Sequence, residues 1–430
     1  MNQLLDYPLF TVIIPQKNRA EYLIHTLRTC MIQDYPNFEI IVSDDCSEDN
    51  SVEIVRQLIK KDSRIKLFAH DHHLGMRDNF EFALNQVRSG YIMALGGDDG
   101  LVPGCIWRMF EILSSTKREL LTWNPAGFTY SDYEGGKNIF HVKRGKNFGV
   151  KLLNSEIFLN KIARTFLYQT DECPMLFMKG VASTALIDRV KSRTKDNSFY
   201  YCSTPDGFSG VVLAGEVEDY AFTNQPLTIG GTTNKSQGRN YDRTDKKSQE
   251  EAQQFFNDNI RRTMHAELAS QQYSPLITLM TADYLLTAQD LPGWPGKFTP
   301  ISFEALIRAS FKFIEKSPIA NEVLVRELNI LKEIAKQHGL LDLFNQLLVT
   351  TKRKVVRKQD VYGFVITNSI RFEGTELGIH NIFDASLATN FVYNFYNKLS
   401  FKEIINLIKN TCRILIRSKQ YKVEHLPNIN

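Results

Sequence analysis

The feature that most constrains this chain is a strict alternation over residues 10–113. Short apolar runs take turns with stretches whose apolar residues recur at helical spacing. "FTVIIP" (10–15), "FEIIVS" (38–43), "IKLFA" (65–69) and "YIMAL" (91–95) are the runs. Continuous apolar runs rich in β-branched residues fit strands covered on both faces, as in a parallel sheet. Between them, Leu23, Leu27, Cys30 and Met31 mark one helical face. Val52, Val55 and Ile59 mark a second, with Asp49 or Asn50 as its N-cap. Phe80, Ala83, Leu84 and Val87 mark a third, and Ile106, Met109, Phe110 and Leu113 a fourth, entered through Pro103. Strands alternating with helices build an open α/β sheet, and such sheets bind ligands outside the carboxyl ends of their strands.

Two of these strands end in paired acids. "VSDDCSED" follows the second and "LGGDDG" follows the fourth. If both strands are central, Asp44, Asp45, Asp98 and Asp99 crowd one rim. Like charges ~4 Å apart repel by about 4 kcal/mol at an effective dielectric near 20. Such a cluster needs protons, hydrogen bonds or a cation. Hard oxygen ligands, few in number, suit Mg2+ or Mn2+ when a diphosphate supplies the remaining oxygens. Either pair alone also fits a polar, helix-capping turn.

The rest of the chain is less regular. "LLTWNPAGFTY" and "PLTIGG" read as strands, and the polar, Gly-rich residues 131–149 as a loop. Helical patterning begins near Ser248, where Ala252, Phe255, Phe256, Ile260 and Met264 form one stripe, and continues through "NEVLVRELNILKEIAKQHGLLDLFNQLLV". "KRKVVRK" (352–358) reads as a linker or surface edge. From Phe401, Ile404, Ile405, Ile408, Cys412, Leu415 and Ile416 share a face flanked by Lys402, Lys409, Arg413 and Arg417. Such a segment docks on its own domain or lies on an anionic membrane surface, giving peripheral contact through residues 401–422. A net charge of +4 over 430 residues gives no argument for nucleic acid. No apolar run approaches the ~18 residues of a membrane span, and the start lacks a signal-peptide pattern, so a cytoplasmic protein is expected. The scattered cysteines predict neither disulfides nor a structural metal, and "HDHH" (70–73) reads as loop rather than a zinc site.

"TVIIPQKNRAEYLIHTLRTCMIQDYPNFEIIVSDDCSEDNS" together with "HLGMRDNFEFALNQVRSGYIMALGGDDGLVPG" resembles the opening of family 2 glycosyltransferases, which have the GT-A fold. The likeness is close over residues 9–112 and weaker to residue 238. It implies a GT-A domain over 1–240. A helical domain over 241–350 and a C-terminal helical and basic region over 351–430 follow, either of which could serve acceptor, oligomer or membrane contact. It also implies an inverting, metal-dependent transferase that takes a nucleotide-diphosphate sugar, UDP-linked on family grounds, and a glycan or lipid-linked acceptor of cell-surface polysaccharide synthesis. On matched positions, Pro15, Asn18, Arg19, Asp45, Arg77 and Asn79 would bind the nucleotide, with Asp45 at the N–H edge of the base. Asp98 would lie by the ribose, and Asp99 would bind Mn2+ or Mg2+. Gln16 and Lys17 depart from the family's usual small or aromatic residues.

The family's downstream acid pair matches Pro205-Asp206 in "STPDGFSGVVLAGEVEDYAFTNQPLTIGG", which makes Asp206 the catalytic base. Read locally, the same residues fit a Pro-Asp-Gly turn. Glu216, Glu218 and Asp219 are rivals whose stretch reads as partly strand with its acids toward solvent. "GGTTNKSQGRN" (230–240) reads as a loop in which Lys235 or Arg239 closes over the diphosphate, or as a linker. Two other functions compete. A non-catalytic, nucleotide-binding assembly subunit is disfavoured by the presence of both Asp99 and Asp206. A sugar nucleotidyltransferase needs a Gly-rich phosphate loop after the first strand, and "IIPQKNRAEY" has no glycine.

Overall fold

The computed structural model describes residues 7–133, 136–143, 149–242, 245–260, 262–317, 319–356, 369–398 and 421–425. The α/β alternation holds. In chain order come β1 (Phe10–Gln16), α1 (Ala20–Met31), β2 (Phe38–Asp44), α2 (Ser51–Ile59), β3 (Ile65–Ala69), α3 (Met76–Asn85), β4 (Tyr91–Ala94), β5 (Gly100–Leu101) and α4 (Cys105–Thr116). Then follow β6 (Leu120–Trp123), β7 (Ala126–Thr129), β8 (Ile139–Lys143), β9 (Val150–Asn154), α5 (Ser155–Thr165), β10 (Gly180–Ser183), α6 (Thr184–Lys191), α7 (Pro205–Gly215), β11 (Asp219–Thr223) and β12 (Thr228–Thr232). The rest is mainly helical: α8 (Lys246–Asp258), α9 (Ile277–Gln289), α10 (Phe303–Ile314), α11 (Asn321–Gln337), α12 (Leu341–Thr350), β13 (Lys352–Val356), β14 (Ser369–Glu373), α13 (Ile382–Lys398) and β15 (Tyr421–His425).

The main sheet has the order β3-β2-β1-β4-β10-β6-β11-β9. Its first four strands are parallel, with Ile13 opposite both Ile41 and Ala94. This register puts the ends of β1, β2 and β4 side by side at one rim. Strand side chains alternate between two cores. Val12, Ile14, Ile40 and Val42 pack with Leu23 and Leu27 of α1 and Met109 of α4. Ile13, Ile41 and Ala94 face the other way, onto Phe80 and Leu84 of α3 and Val211 of α7.

The chain beyond residue 240 extends both cores rather than building its own. The α3/α7 core runs on without a break through Leu285, Ile307, Leu328 and Phe344 of α9 to α12. The other core takes in Phe372 of β14 and Ile382 and Tyr393 of α13. A second sheet, β14-β8-β7-β12-β5, joins the C-terminal part to the N-terminal one. Among the described residues, no helix is long and apolar enough to cross a membrane.

Several local expectations change. Residues 131–149 are not all loop: β8 forms because Phe140 and Val142 are buried there, with the Phe140 ring edge-on to Phe372 of β14. Residues 352–356 are a strand paired with 421–425. Neither partner is near in sequence, so local pattern alone could not show the pairing. The stripe from Ala252 to Met264 is not one helix. It ends at Asp258, leaving Ile260 exposed, and Met264 is buried after the chain has turned back. The N-cap position of α2 is Asn50, with no side-chain cap bond, while Asp49 accepts from the Ser51 N–H and, at 3.0 Å, from the Ala20 N–H. Pro103 precedes α4 by two residues, and Gly104, at φ 75°, holds its N-cap position. The apolar face from Phe401 to Ile416 lies outside the described residues.

Candidate active site

The rim is closed by hydrogen bonds among the strand ends. Gln16 donates to the Asp44 carboxylate, which also accepts the Ser47 N–H at 2.9 Å. Asn18, at φ 54°, joins β1 to the turn after β2: its N–H meets Ser47 Oγ at 2.8 Å and its Oδ1 accepts the Glu48 N–H at 2.8 Å. Pro15 is buried in β1, opposite Ser43.

Asp45 is buried, and both its oxygens hold the chain before α3. Leu74 N–H lies 2.6 Å from Oδ1; Gly75 N–H, at 3.2 Å, and His73 Nδ1, at 2.8 Å, reach Oδ2. His73 also faces Lys17 at 3.1 Å and, through Nε2, Asp258 of α8 at 3.1 Å. Part of the histidine tract thus links the rim to the helical region. Arg77 and Asn79 turn elsewhere. Asn79 is buried against β2, where it exchanges hydrogen bonds with Ser43. Arg77 reaches Tyr200 O, Ser198 Oγ and Asp196, fixing the stretch before α7.

The acid pair at the end of β4 divides its contacts unequally. Asp99 is buried, and both its oxygens accept backbone N–H groups: Gly96 at 2.7 Å and Gly231 of β12 at 2.9 Å. Burial, then the neighbouring Asp98, push its pKa up to about 7. Asp98 has its bonds on Oδ2, from Arg19 at 2.9 Å and Thr233 Oγ1 at 3.3 Å. Among the described residues, Oδ1 of Asp98 carries no such bond. Gly231 is required by close approach, since a Cβ there would sit 1.9 Å from Asp98 O.

Residues 231–236 fold down on the N-terminal residues. Arg19 donates to Lys235 O at 2.6 Å; Lys235 Nζ reaches Asn18 O and Glu21 Oε1, each at 2.9 Å. Asn234 N–H and the Tyr22 hydroxyl meet on Asp132, at 3.2 and 2.5 Å. The segment expected to be a mobile loop or a linker is a clasp over the acid pair in this conformation. Arg239 lies in the short 3-10 turn Gln237–Asp242 that follows.

Asp206 is not in a turn. Pro205 opens α7, with its fixed φ suited to the first helical position, and Asp206 sits in the first turn, where the helix dipole favours negative charge. Its Oδ2 accepts from the Tyr168 hydroxyl at 3.3 Å, while Oδ1 is enclosed with no hydrogen-bond partner. Burial raises its pKa against the Gly207 N–H and the Tyr168 bond, which lower it. Tyr168, Tyr273, Tyr284 and Cys173 surround it. Tyr284 belongs to α9, beyond the match to the family. A Cβ on Gly207 would lie 2.2 Å from the Tyr284 ring, so only glycine lets α9 approach there.

Of the rivals, Glu216 does not face solvent. Its side chain is 1% exposed and pairs with Arg193 at 2.6 Å. Asp219 pairs with Arg118. Sequence reading missed Thr233, Gly231, Tyr168 and Tyr284. The signal at Gly207 was visible as a glycine inside a helical apolar run, but not what it admits.

Residues 11–176 match the family described as Glycosyl transferase family 2. A Haemophilus influenzae protein named "Uncharacterized glycosyltransferase" is 29% identical over 133 residues, which are 31% of this chain and 52% of that protein. The Campylobacter jejuni "GalNAc(5)-diNAcBac-PP-undecaprenol beta-1,3-glucosyltransferase" is 35% identical over 105 residues, 24% of this chain and 34% of that one. The chain thus spans about half, or less, of the length of these relatives. Among solved structures, S. aureus TarS 1-349 in complex with UDP-GlcNAc is similar at a TM-score of 0.42 and 14% identity, covering 79% of this chain and 90% of that one. Residues 11–176 of this chain thus match glycosyl transferase family 2, and they lie in the mixed α/β sheet described above.

Proposed function

We propose that the chain transfers a sugar, with inversion, from a nucleotide-diphosphate sugar to a hydroxyl of a glycan or lipid-linked acceptor in cell-surface polysaccharide synthesis. A UDP-sugar is the favoured donor. The observation that carries the reading is the rim itself: two carboxyls end β4 beside the ends of β1 and β2, under a clasp in which Arg19 bonds both Asp98 and the Lys235 carbonyl.

The acid pair fits a divalent cation. Asp98 Oδ1 is free of the bonds on Oδ2, and the described residues hold no cluster of three or more His, Cys, Asp or Glu side chains able to complete a metal shell. Two carboxylates alone suit Mg2+ or Mn2+ that takes further oxygens from a diphosphate. When bound there, the cation stabilises negative charge on the leaving diphosphate. In this reading Asp99 holds the cation and Asp98 lies by the ribose. The free oxygen on Asp98 and the two N–H bonds on Asp99 make the share of each a question for variants.

Asp206 is the proposed base. The acceptor oxygen attacks the anomeric carbon, the bond to the diphosphate oxygen breaks with its electron pair, and the acceptor proton passes to the Asp206 carboxylate. Pro15, Asn18, Arg19, Asp45, Arg77 and Asn79 are proposed to bind the nucleotide. Lys235 and Arg239 are proposed for the diphosphate side.

A panel of nucleotide sugars, assayed for thermal shift and hydrolysis with Mn2+ and again with EDTA, tests the reading. One or more donors should be hydrolysed only with the metal. Binding without turnover of any donor, with a range of glycan acceptors present, would favour the non-catalytic subunit instead.

A further inference from the structure

Asp206, read above as the base, lies in surroundings that constrain how it works. Tyr168 follows α5 and is fully buried, with its backbone N–H held by Thr281 Oγ1 of α9 at 3.1 Å. Its hydroxyl lies 3.3 Å from Asp206 Oδ2 and 3.3 Å from Gln169 Nε2. An amide N–H can only donate, so Gln169 occupies a lone pair of the phenol oxygen. The phenol hydrogen is then left for the carboxylate. Oδ1, the other carboxylate oxygen, is enclosed and unpartnered.

The remaining groups facing Asp206 are engaged elsewhere. The Tyr284 hydroxyl bonds Thr204 Oγ1, and the Tyr273 hydroxyl points at the Met280 sulfur at 3.8 Å. Burial keeps the Cys173 thiol protonated, up to about 12. Lys179, which lies toward Cys173, donates to Thr170 O and Asp171 O at 2.7 and 2.8 Å. Tyr168 is therefore the side chain that donates to the Asp206 carboxylate among the described residues.

We propose that Tyr168 is a positioning residue for Asp206: its phenol donates to Oδ2, which fixes the orientation of the carboxylate and favours its charged form. A donated hydrogen bond favours the charged form, whereas burial opposes it. A base serves best when its pKa lies near the working pH. This inference rests on the reading of Asp206 as the base.

The test is the pH profile of kcat in Tyr168→Phe, beside Asp206→Asn and Tyr284→Phe. Tyr168→Phe should move the acid limb up by about one unit, about a tenfold loss on that limb, with the donor KM unchanged. Tyr284→Phe removes a hydroxyl from the same surroundings that does not touch Asp206, and its acid limb should stay in place. If Asp206→Asn is inactive but the limb of Tyr168→Phe coincides with that of the wild type, the inference falls and the base remains. If Asp206→Asn keeps wild-type kcat, the base reading falls and takes the inference with it. Should Tyr168→Phe not fold, Thr281→Ala loosens the Tyr168 backbone instead. It should move the limb the same way by less, and no movement overturns the proposal.

Discussion

The two carboxylate sites of this molecule are built in opposite ways. Asp98 and Asp99 stand at a rim assembled from strand ends within the first 100 residues, held by an arginine, by backbone N–H groups and by the clasp of residues 231–236. Asp206 stands alone at a helix start, among tyrosines, with one oxygen unpartnered and part of its surroundings supplied by α9. The first site is crowded with charge, which a cation would offset. The second is enclosed and nearly free of charge, so it favours a carboxyl that trades a proton. The proposed metal site and the proposed base thus separate by environment, although both are aspartates.

The contrast breaks most visibly at the metal site. Asp99→Ala should abolish metal-dependent transfer, whereas Asp98→Ala should mainly weaken nucleotide binding by calorimetry. Equal and mild effects from both would make the motif a polar turn. Asp206→Asn should lower kcat by about 10²–10⁴ while donor binding persists; a parallel loss of donor binding would merge the two sites into one.

Smaller effects sharpen the comparison. Gly207→Ala, which sets a methyl against the Tyr284 and Tyr168 rings, should destabilise the fold by about 1–3 kcal/mol in denaturant titration. A neutral result would show that α9 does not press on the base. At the rim, the Asp99 carboxyl keeps its proton to about pH 7 in the folded state, against ~3.9 in an unfolded chain. Between those values the folded state holds the extra proton, so its contribution to stability falls as pH rises. A cation takes the proton's place, so Mn2+ should raise Tm more at pH 8 than at pH 6. Equal shifts at both would remove the cation from this pair. The smallest effect is at the clasp: Lys235→Ala should raise the donor KM several-fold, and an unchanged KM would reduce that lysine to its bonds with Asn18 and Glu21.

The difference between the sites also governs what could be read in advance. Apolar period fixed β1, β2 and β4 and their helices, because a strand covered on both faces must be apolar throughout, and β3 stands at the sheet's edge with Lys66 exposed. The acid pairs were legible because they interrupt those runs, and a strand's end in an α/β sheet is where ligands meet it. The helix at Pro205 was open to a second reading, since Pro-Asp-Gly serves a turn as well as a helix start. The contacts of Arg77 and Asn79 could not be read at all. Their direction depends on Tyr200 and Ser43, and no local pattern holds a side chain's orientation.

The sequence by itself determined the sheet's parallel half, its acid-lined rim and the likeness of residues 11–176 to glycosyl transferase family 2. Tertiary structure decided the rest. It set how Asp98 and Asp99 divide their contacts, through Gly231 at a distance of 132 positions from Asp99. It turned residues 231–236 into a clasp through Arg19, and it closed the Asp206 pocket with Tyr284 of α9. The physical reason is the same each time. Hydrophobic periodicity is a property of neighbouring residues, whereas burial, hydrogen-bond satisfaction and the charge state that follows belong to groups the chain brings together only on folding.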